Sequence, residues 1–420
     1  MTLALFFLLL LYHNLIIMKH FISVLLLLLC LGCQEKTPVA KYVFFFIGDG
    51  MGLGQVALAE AYQAAQDGKT GNYPLNFSQF PVLGTATTYS ASNVITCSSA
   101  AGTALATGEK TNNGMLGVRP DTSDLTAITY KIKDAGYKVG VTSTVTLDHA
   151  TPGAFYAHSS ARSDYYSIST QLPASGFDFF GGGGFLQPLG AQEDQESVFS
   201  LIEKAGYTVA YGLDEFNELK AKNEKMVLLQ DKDRNYLKDL PYAIDRKDGD
   251  LTQAGIVAAA VEFLDNEKGF FLMSEGGKID WACHSNDGKT ALMEVLDLAD
   301  AVQVAIAFAQ KHPDETLIVV TADHETGGLA LGSVSDYVMF FNELDPQSQS
   351  KDILFANGQK EEAFQVRQLN EKAKIGWTTS AHSGIPVPVY ATGTCSNLFG
   401  GRMDNTDIPK KICQAMGIAY

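Results

Sequence analysis

Gly269-Phe270-Phe271-Leu272-Met273-Ser274-Glu275-Gly276-Gly277-Lys278-Ile279-Asp280-Trp281-Ala282-Cys283-His284 is an apolar run that ends in a carboxylate and two glycines and then resumes as a helical pattern. The run is too short for a helix and reads as a strand buried on both faces. Asp280 and His284 stand four apart, so on a helix they share a face, and a carboxylate oxygen with an imidazole nitrogen aimed at one point suits zinc. Elsewhere in the chain the same arrangement recurs. Tyr42–Ile47 is followed by Asp49, Lys138–Thr144 by His149 and Thr151, and Thr316–Thr321 by Asp323 and His324. His382 stands just ahead of a fifth run, Val387–Thr392. Gln253–Asp265 and Ala291–Lys311, rich in Ala, Leu and Val with acidic residues between, read as covering helices. This alternation predicts an α/β fold with a large, mostly parallel central sheet and helices on both faces. Ligands of such sheets bind outside the carboxyl ends of the strands, so the polar groups that follow the runs are expected to converge.

Outward from this core, the first 32 residues hold Lys19 as their only Lys, Arg, Asp or Glu and run into Cys33. They read as a lipoprotein-type export signal over 1–32, with Cys33 as the lipidated first residue of an exported, periplasmic or outer-membrane bacterial protein. Met18-Lys19-His20 followed by Phe21–Leu29 is a short signal by itself, so the functional start can be Met18. An uncleaved anchor is the rival reading, against which stands an apolar stretch shorter than the about 20 residues a span needs. Residues 33–40 then form a linker, and 41–420 a single domain interrupted at 332–374 by polar, charged and aromatic residues. That interruption reads either as an insertion over the site's mouth or as a solvated loop. Without Lys19, 30 basic residues face 47 acidic ones, an imbalance that disfavours nucleic acid as a partner. Hydrophobic residues, at 46%, supply ample core. Of the four cysteines after Cys33, Cys395 and Cys413 are the preferred disulfide, because Cys97 and Cys283 lie inside motifs.

Two more segments carry chemistry. Asp49 lies in Gly48-Asp49-Gly50-Met51-Gly52, where glycines let the backbone turn under a carboxylate; a capped turn is the plain alternative. Ser98 and Ser99 open a helix of small residues, Ala100 to Ala104. A serine there sits beside free N–H groups and the positive end of the helix dipole, which suits a phosphate ester, although ordinary N-capping uses the same residue.

Taken together, Gly48–Gly52, the serine-rich segment ending Ala106-Thr107-Gly108, His149-Ala150-Thr151-Pro152 followed by Arg162, Glu275 to His284, Thr321 to Gly328, and Ser380 to Gly384 resemble the alkaline phosphatase family over nearly all of Lys41–Tyr420. The resemblance implies a metal-dependent phosphomonoesterase that yields alcohol and inorganic phosphate through a phosphoserine intermediate. Asp280, His284 and His382 would bind one zinc, and Asp49, Asp323 and His324 a second. Asp49 would also touch a third ion, magnesium in many members, held with Glu275 and Thr151. Ser98 aligns with the nucleophile and Arg162 with the phosphate clamp, and many members are homodimers. Six positive charges from three divalent ions, set against four carboxylates, suit a phosphate monoester dianion better than a diester or a sulfate ester.

The chain departs from the family pattern at two places. Cys97 stands where many members carry aspartate, which loosens the expected hold on Arg162. His149 and Trp281 stand where some relatives have Asp and Lys, so the third ion can be zinc or cobalt rather than magnesium. Cys97-Ser98-Ser99-Ala100-Ala101 lacks the Pro and Arg a sulfatase needs. Ser99 is the fallback nucleophile, and His158 reads as structural. A phosphodiesterase of the same superfamily and a catalytically silent metal- or phosphate-binding surface lipoprotein are the competing functions.

Overall fold

All five apolar runs become strands of one sheet. In chain order the strands are β1 (Tyr42–Gly48), β2 (Val82–Thr87), β3 (Lys138–Ser143), β4 (Phe179–Gly182), β5 (Thr208–Tyr211), β6 (Met226–Leu229), β7 (Phe270–Gly276), β8 (Thr316–Thr321), β9 (Glu325–Thr326), β10 (Leu329–Leu331), β11 (Ile375–Trp377), β12 (His382–Ser383), β13 (Val387–Gly393) and β14 (Gly401–Asp404). The computed structural model describes residues 2–32, 39–230, 239–333 and 337–420, and within 2–32 the side chains of 2–21. Among the described residues ten strands form one sheet in the order β14-β2-β13-β8-β1-β7-β3-β4-β6-β5, while β10 pairs with β11 and β12 with β9.

The sheet is mostly parallel, as the alternation predicts, with β13 as the exception: it runs antiparallel to both β8 and β2. The three central strands are buried along their whole length, which is why they read as unbroken apolar runs. Their register matters for the site. Ile47 pairs with both Glu275 and Thr321, and Ser143 also pairs with Glu275, so the segments that follow β1, β3 and β8 leave the sheet at the level of Glu275.

Gln253–Leu264 and Gly288–Ala309 form the helices expected from their apolar spacing, each started by a side-chain cap, Thr252 to the Gly255 amide and Asp287 to the Thr290 amide. Against the second helix, Arg246 holds Asp297 with two hydrogen bonds of 2.8 and 2.9 Å. Both side chains are largely withdrawn from water. Replacing Arg246 with Ala strands a buried carboxylate, and we expect a loss of about 3–5 kcal/mol in urea unfolding.

The described part of 332–374 includes the helices Lys351–Ala356 and Lys360–Ala373. It closes on the end of the helix Lys278–His284, where Ser285 Oγ donates to Asp352 and the Lys351 amide to Asp287. Asn370 Oδ1 accepts from the Gly288 amide and from Trp377 Nε1. The expected Cys395–Cys413 bridge is not formed. Cys413 is a free thiol, fully buried in the main core from the last helix, Asp407–Ala415, where it packs as a small apolar residue.

Met1–Pro38 is a separate unit from Val39–Tyr420. Its helix, Thr2–Gly32, contains a stretch, Thr2–Phe21, long and apolar enough by length and composition to cross a membrane, a test that a signal sequence also passes. The apolar stretch is thus longer than the Phe21–Leu29 run read from the sequence. Cys33, the expected lipid acceptor, lies outside the described residues.

Candidate active site

The centre of the site is built on the turn after β1. Gly50 adopts φ +74°, and a Cβ there would lie 2.9 Å from the Asp280 backbone, so only glycine lets the Asp49 turn approach the helix that carries Asp280. The Asp49 amide donates to the Gly276 carbonyl at 3.2 Å, tying this turn to the end of β7. Gly50→Ala should push Asp49 and Asp280 apart, and we expect zinc affinity, read by competition with a chromophoric chelator, to fall about 10- to 100-fold.

Around this turn the donors fall into overlapping groups. His324 Nε2 lies 3.3 Å from Asp49 Oδ1 and 3.2 Å from Asp323 Oδ2. His284 Nε2 lies 3.3 Å from Asp280 Oδ2 and 3.1 Å from His382 Nε2, which is itself 3.7 Å from Asp280 Oδ1. The Asp49, Asp323, His324 group and a group of Asp280, His324 and His382 each have their ligand atoms within 4.8 Å of one another. His324 lies between them, its ring stacked on that of His382 at 3.6 Å.

The hydrogen bonds orient these rings. His284 Nδ1 faces the Ser380 carbonyl at 2.6 Å and His382 Nδ1 faces the Thr96 carbonyl at 2.8 Å. A carbonyl can only accept, so both Nδ1 atoms carry the proton, and in the neutral rings the Nε2 lone pairs turn inward, the arrangement metal-ligating imidazoles show.

A third set of donors adjoins the turn. Glu275 is fully buried, with Oε2 accepting from Ser143 Oγ. Thr151 is buried near the start of the short helix Ala150–Ala154, and His149 precedes that helix with its ring edge-on to Trp281 at 5.7 Å.

The chemistry of these donors fits cations. Asp49 Oδ1 and Oδ2, Asp323 Oδ2, Glu275 Oε1, Thr151 Oγ1 and His149 Nδ1 are all buried without a hydrogen-bond partner. Burial together with the neighbouring carboxylates pushes the Asp49 and Asp323 carboxyls well above their usual range, and burial pushes Glu275 up to about 7. Burial opposes the charge on Asp280 too, but His284, His324 and His382 hold its carboxyl below the ordinary value. Burial, reinforced by Arg162, pushes His149 down to about 3, leaving its ring neutral. Burial likewise lowers His324 and His382, while the hydrogen bond to Asp280 raises His284 to about 9. Buried carboxylates beside such imidazoles form a site that divalent ions satisfy.

Ser98 opens the helix Ser98–Thr107, with Oγ 3.3 Å from His324 Nε2. Ser99 is turned away: it is fully buried, its Oγ lies 3.1 Å from Cys97 Sγ, and its carbonyl accepts from Thr103. Arg162 places Nη2 3.4 Å from His149 Nε2, and its amide donates to the Gly114 carbonyl at 2.7 Å. Cys97 Sγ accepts from the Gly114 amide at 3.1 Å, so one glycine links the cysteine to the arginine segment. Burial opposes the Cys97 thiolate, yet Ser99, the Ala100 and Gly114 amides and Arg162 carry the thiol below its usual pKa. His158 bonds to the Leu125 carbonyl at 2.7 Å, away from these groups.

Sequence reasoning gave no role to Thr326, whose hydroxyl reaches both Asp280 and His324, nor to Gln55 and Glu325, which hydrogen-bond each other behind it. The signal for Thr326 and Glu325 was their place in the Thr321–Gly328 motif, directly after His324.

The family profile described as alkaline phosphatase matches residues 40–182 and 190–418. Alkaline phosphatase 3 of Bacillus subtilis is 32% identical over 90% of this chain and 89% of its own length. Among solved structures, the cold-active alkaline phosphatase of a psychrophilic Shewanella superposes with a TM-score of 0.79 at 30% identity, covering 89% of this chain and 99% of that one. The alkaline phosphatase of the Antarctic bacterium TAB5 gives 0.74 at 29%, covering 92% and 100%. Mutants of the TAB5 enzyme with a histidine changed to glutamate or aspartate have Mg bound in the M3 site.

Proposed function

The chain belongs to the alkaline phosphatase family, and from that premise we propose that it hydrolyses phosphate monoesters to alcohol and inorganic phosphate through a phosphoserine at Ser98. The observation that carries this reading is the set of six buried donor atoms without a hydrogen-bond partner, together with a helix-terminal serine whose Oγ lies 3.3 Å from His324 Nε2.

In this proposal Asp280, His284 and His382 hold one zinc, Asp49, Asp323 and His324 hold a second, and Asp49, Glu275 and Thr151, with His149, hold a third ion, magnesium or a softer zinc or cobalt. Bound ions supply positive charge for the phosphoryl and leaving oxygens and lower the pKa of oxygens beside them, effects worth several kcal/mol. The protein's own part is positioning. Ser98 Oγ releases its proton to solvent and forms a bond to phosphorus as the ester P–O bond breaks, and the departing alkoxide takes a proton from water. Water then attacks the phosphoserine from the vacated side, the Ser98 O–P bond breaks, and the hydroxyl regains its proton, with net retention at phosphorus. The dipole and free amides at the start of the Ser98 helix favour the phosphoryl group throughout.

Arg162 clamps two phosphate oxygens with its planar fork. Arg162→Ala should raise KM about tenfold or more with a smaller effect on kcat, and Arg162→Lys should recover only part of the loss, both read from steady-state kinetics on an aryl phosphomonoester. Equal loss in kcat and kcat/KM would instead place the arginine's contribution wholly in the transition state.

Cys97 gives the Arg162 segment a softer anchor than the aspartate common in the family. The dianion's charge favours the monoesterase over the diesterase reading, and hydrolysis of an aryl diester faster than the matching monoester would reverse that choice. The proposal extends to a leader over 1–32, a linker over 33–40, a catalytic domain over 41–420 with the 332–374 insertion, export as a periplasmic or outer-membrane protein attached through lipidated Cys33, and a homodimeric state.

A further inference from the structure

We propose that Thr326 is a positioning residue that couples the two donor groups through a single hydroxyl, an inference that rests on the metal-centre reading above. Thr326 is fully buried. Its Oγ1 donates to Asp280 Oδ1 at 2.5 Å and lies 3.2 Å from His324 Nδ1. A hydroxyl has one proton, and with that proton committed to a carboxylate it can only accept from the ring. His324 therefore carries its proton on Nδ1 and turns the Nε2 lone pair toward Asp49 and Asp323, at 3.3 and 3.2 Å. The same hydroxyl orients Asp280, whose other oxygen faces His284. One oxygen atom thus selects the tautomer of a ligand in one group and the orientation of a ligand in the other.

The threonine has little room to adjust. Its amide donates to the Gly50 carbonyl at 3.1 Å, next to Asp49, and its carbonyl accepts from Gln55 Nε2 at 2.7 Å. Gln55 also donates to Glu325 and accepts from the Gly52 amide, while Ser383 Oγ closes on Glu325 from the neighbouring strand. In the β9–β12 pair Thr326 stands opposite His382. The backbone of Thr326 is therefore fastened to the Asp49 turn and to the His382 strand, and its hydroxyl serves Asp280 and His324.

Valine has the shape of threonine without the hydroxyl, and serine has the hydroxyl without the methyl. A packing role predicts that valine is benign and serine harmful, whereas a hydroxyl bridge predicts the reverse. The test strips metal from the full-length chain and titrates zinc against a chromophoric chelator for the wild type, Thr326→Val and Thr326→Ser. Zinc affinity in Thr326→Val should fall about 10- to 100-fold at both sites, while Thr326→Ser stays close to the wild type. Wild-type affinity at either site in Thr326→Val, or a larger loss in Thr326→Ser than in Thr326→Val, would overturn the inference while leaving the metal centre standing. A wild-type chain that takes up no zinc would overturn the metal-centre reading and this inference with it.

Discussion

Ser98→Ala is expected to lower turnover of a phosphomonoester by about 10³-fold or more, because it removes the proposed nucleophile and would leave only a slower direct attack by water. On the scale where each 1.36 kcal/mol is tenfold, that is about 4 kcal/mol of the barrier. Geometry selects Ser98 over its neighbour. Both serines are buried, but Ser98 Oγ faces His324 Nε2 at 3.3 Å, whereas Ser99 Oγ lies 3.1 Å from Cys97 Sγ. Zinc content should stay unchanged in Ser98→Ala, since the three carboxylates and three histidines proposed to hold two zincs are intact. Ser99→Ala should keep activity within a small factor of the wild type. If Ser99→Ala is inactive and Ser98→Ala is not, the nucleophile is Ser99.

The double replacement Asp323→Ala, His324→Ala should have an equally large effect by another route. Asp323 and His324 supply two of the three donors of one group, and His324 borders the other through its stack on His382. Losing both leaves Asp49 to hold an ion alone; the Asp323 charge that helps raise the Asp49 carboxyl is gone as well, but burial, the larger cause, remains and still opposes its ionisation. Bound zinc per chain should drop from two to one or fewer, with hydrolysis falling to background. Full activity in this variant would refute the two-zinc mechanism outright.

The strands that build the site were legible for a physical reason. β1, β7 and β8 are buried on both faces, so their sequences are continuous apolar runs, and the ligand-type residues lie within their last turns or just beyond. Apolar runs carry no direction, which is why the antiparallel course of β13 had to come from pairing. β4, β5 and β6 have four residues each, too few for a pattern to rise above chance. The helix Lys360–Ala373 was hidden because it buries only Ala363, Val366, Asn370 and Ala373 and is otherwise charged and polar. At the site, carboxylates and imidazoles announce themselves by residue type and spacing, while Thr326 and Ser143 do not, since a threonine or serine near a strand end is most often only a strand former or a cap. The Cys395–Cys413 pairing failed because two cysteines close in sequence reveal nothing about where their side chains point, and Cys413 points into the core.

The most direct test of the central claim is phosphate release from a simple aryl phosphomonoester by the purified protein as isolated, after chelation, and after zinc is added back. Activity lost to the chelator and restored by zinc, with magnesium alone failing to restore it, is the predicted result. A folded protein that binds two zinc ions and still releases no phosphate would contradict the account and leave a silent binding protein or a diesterase in its place.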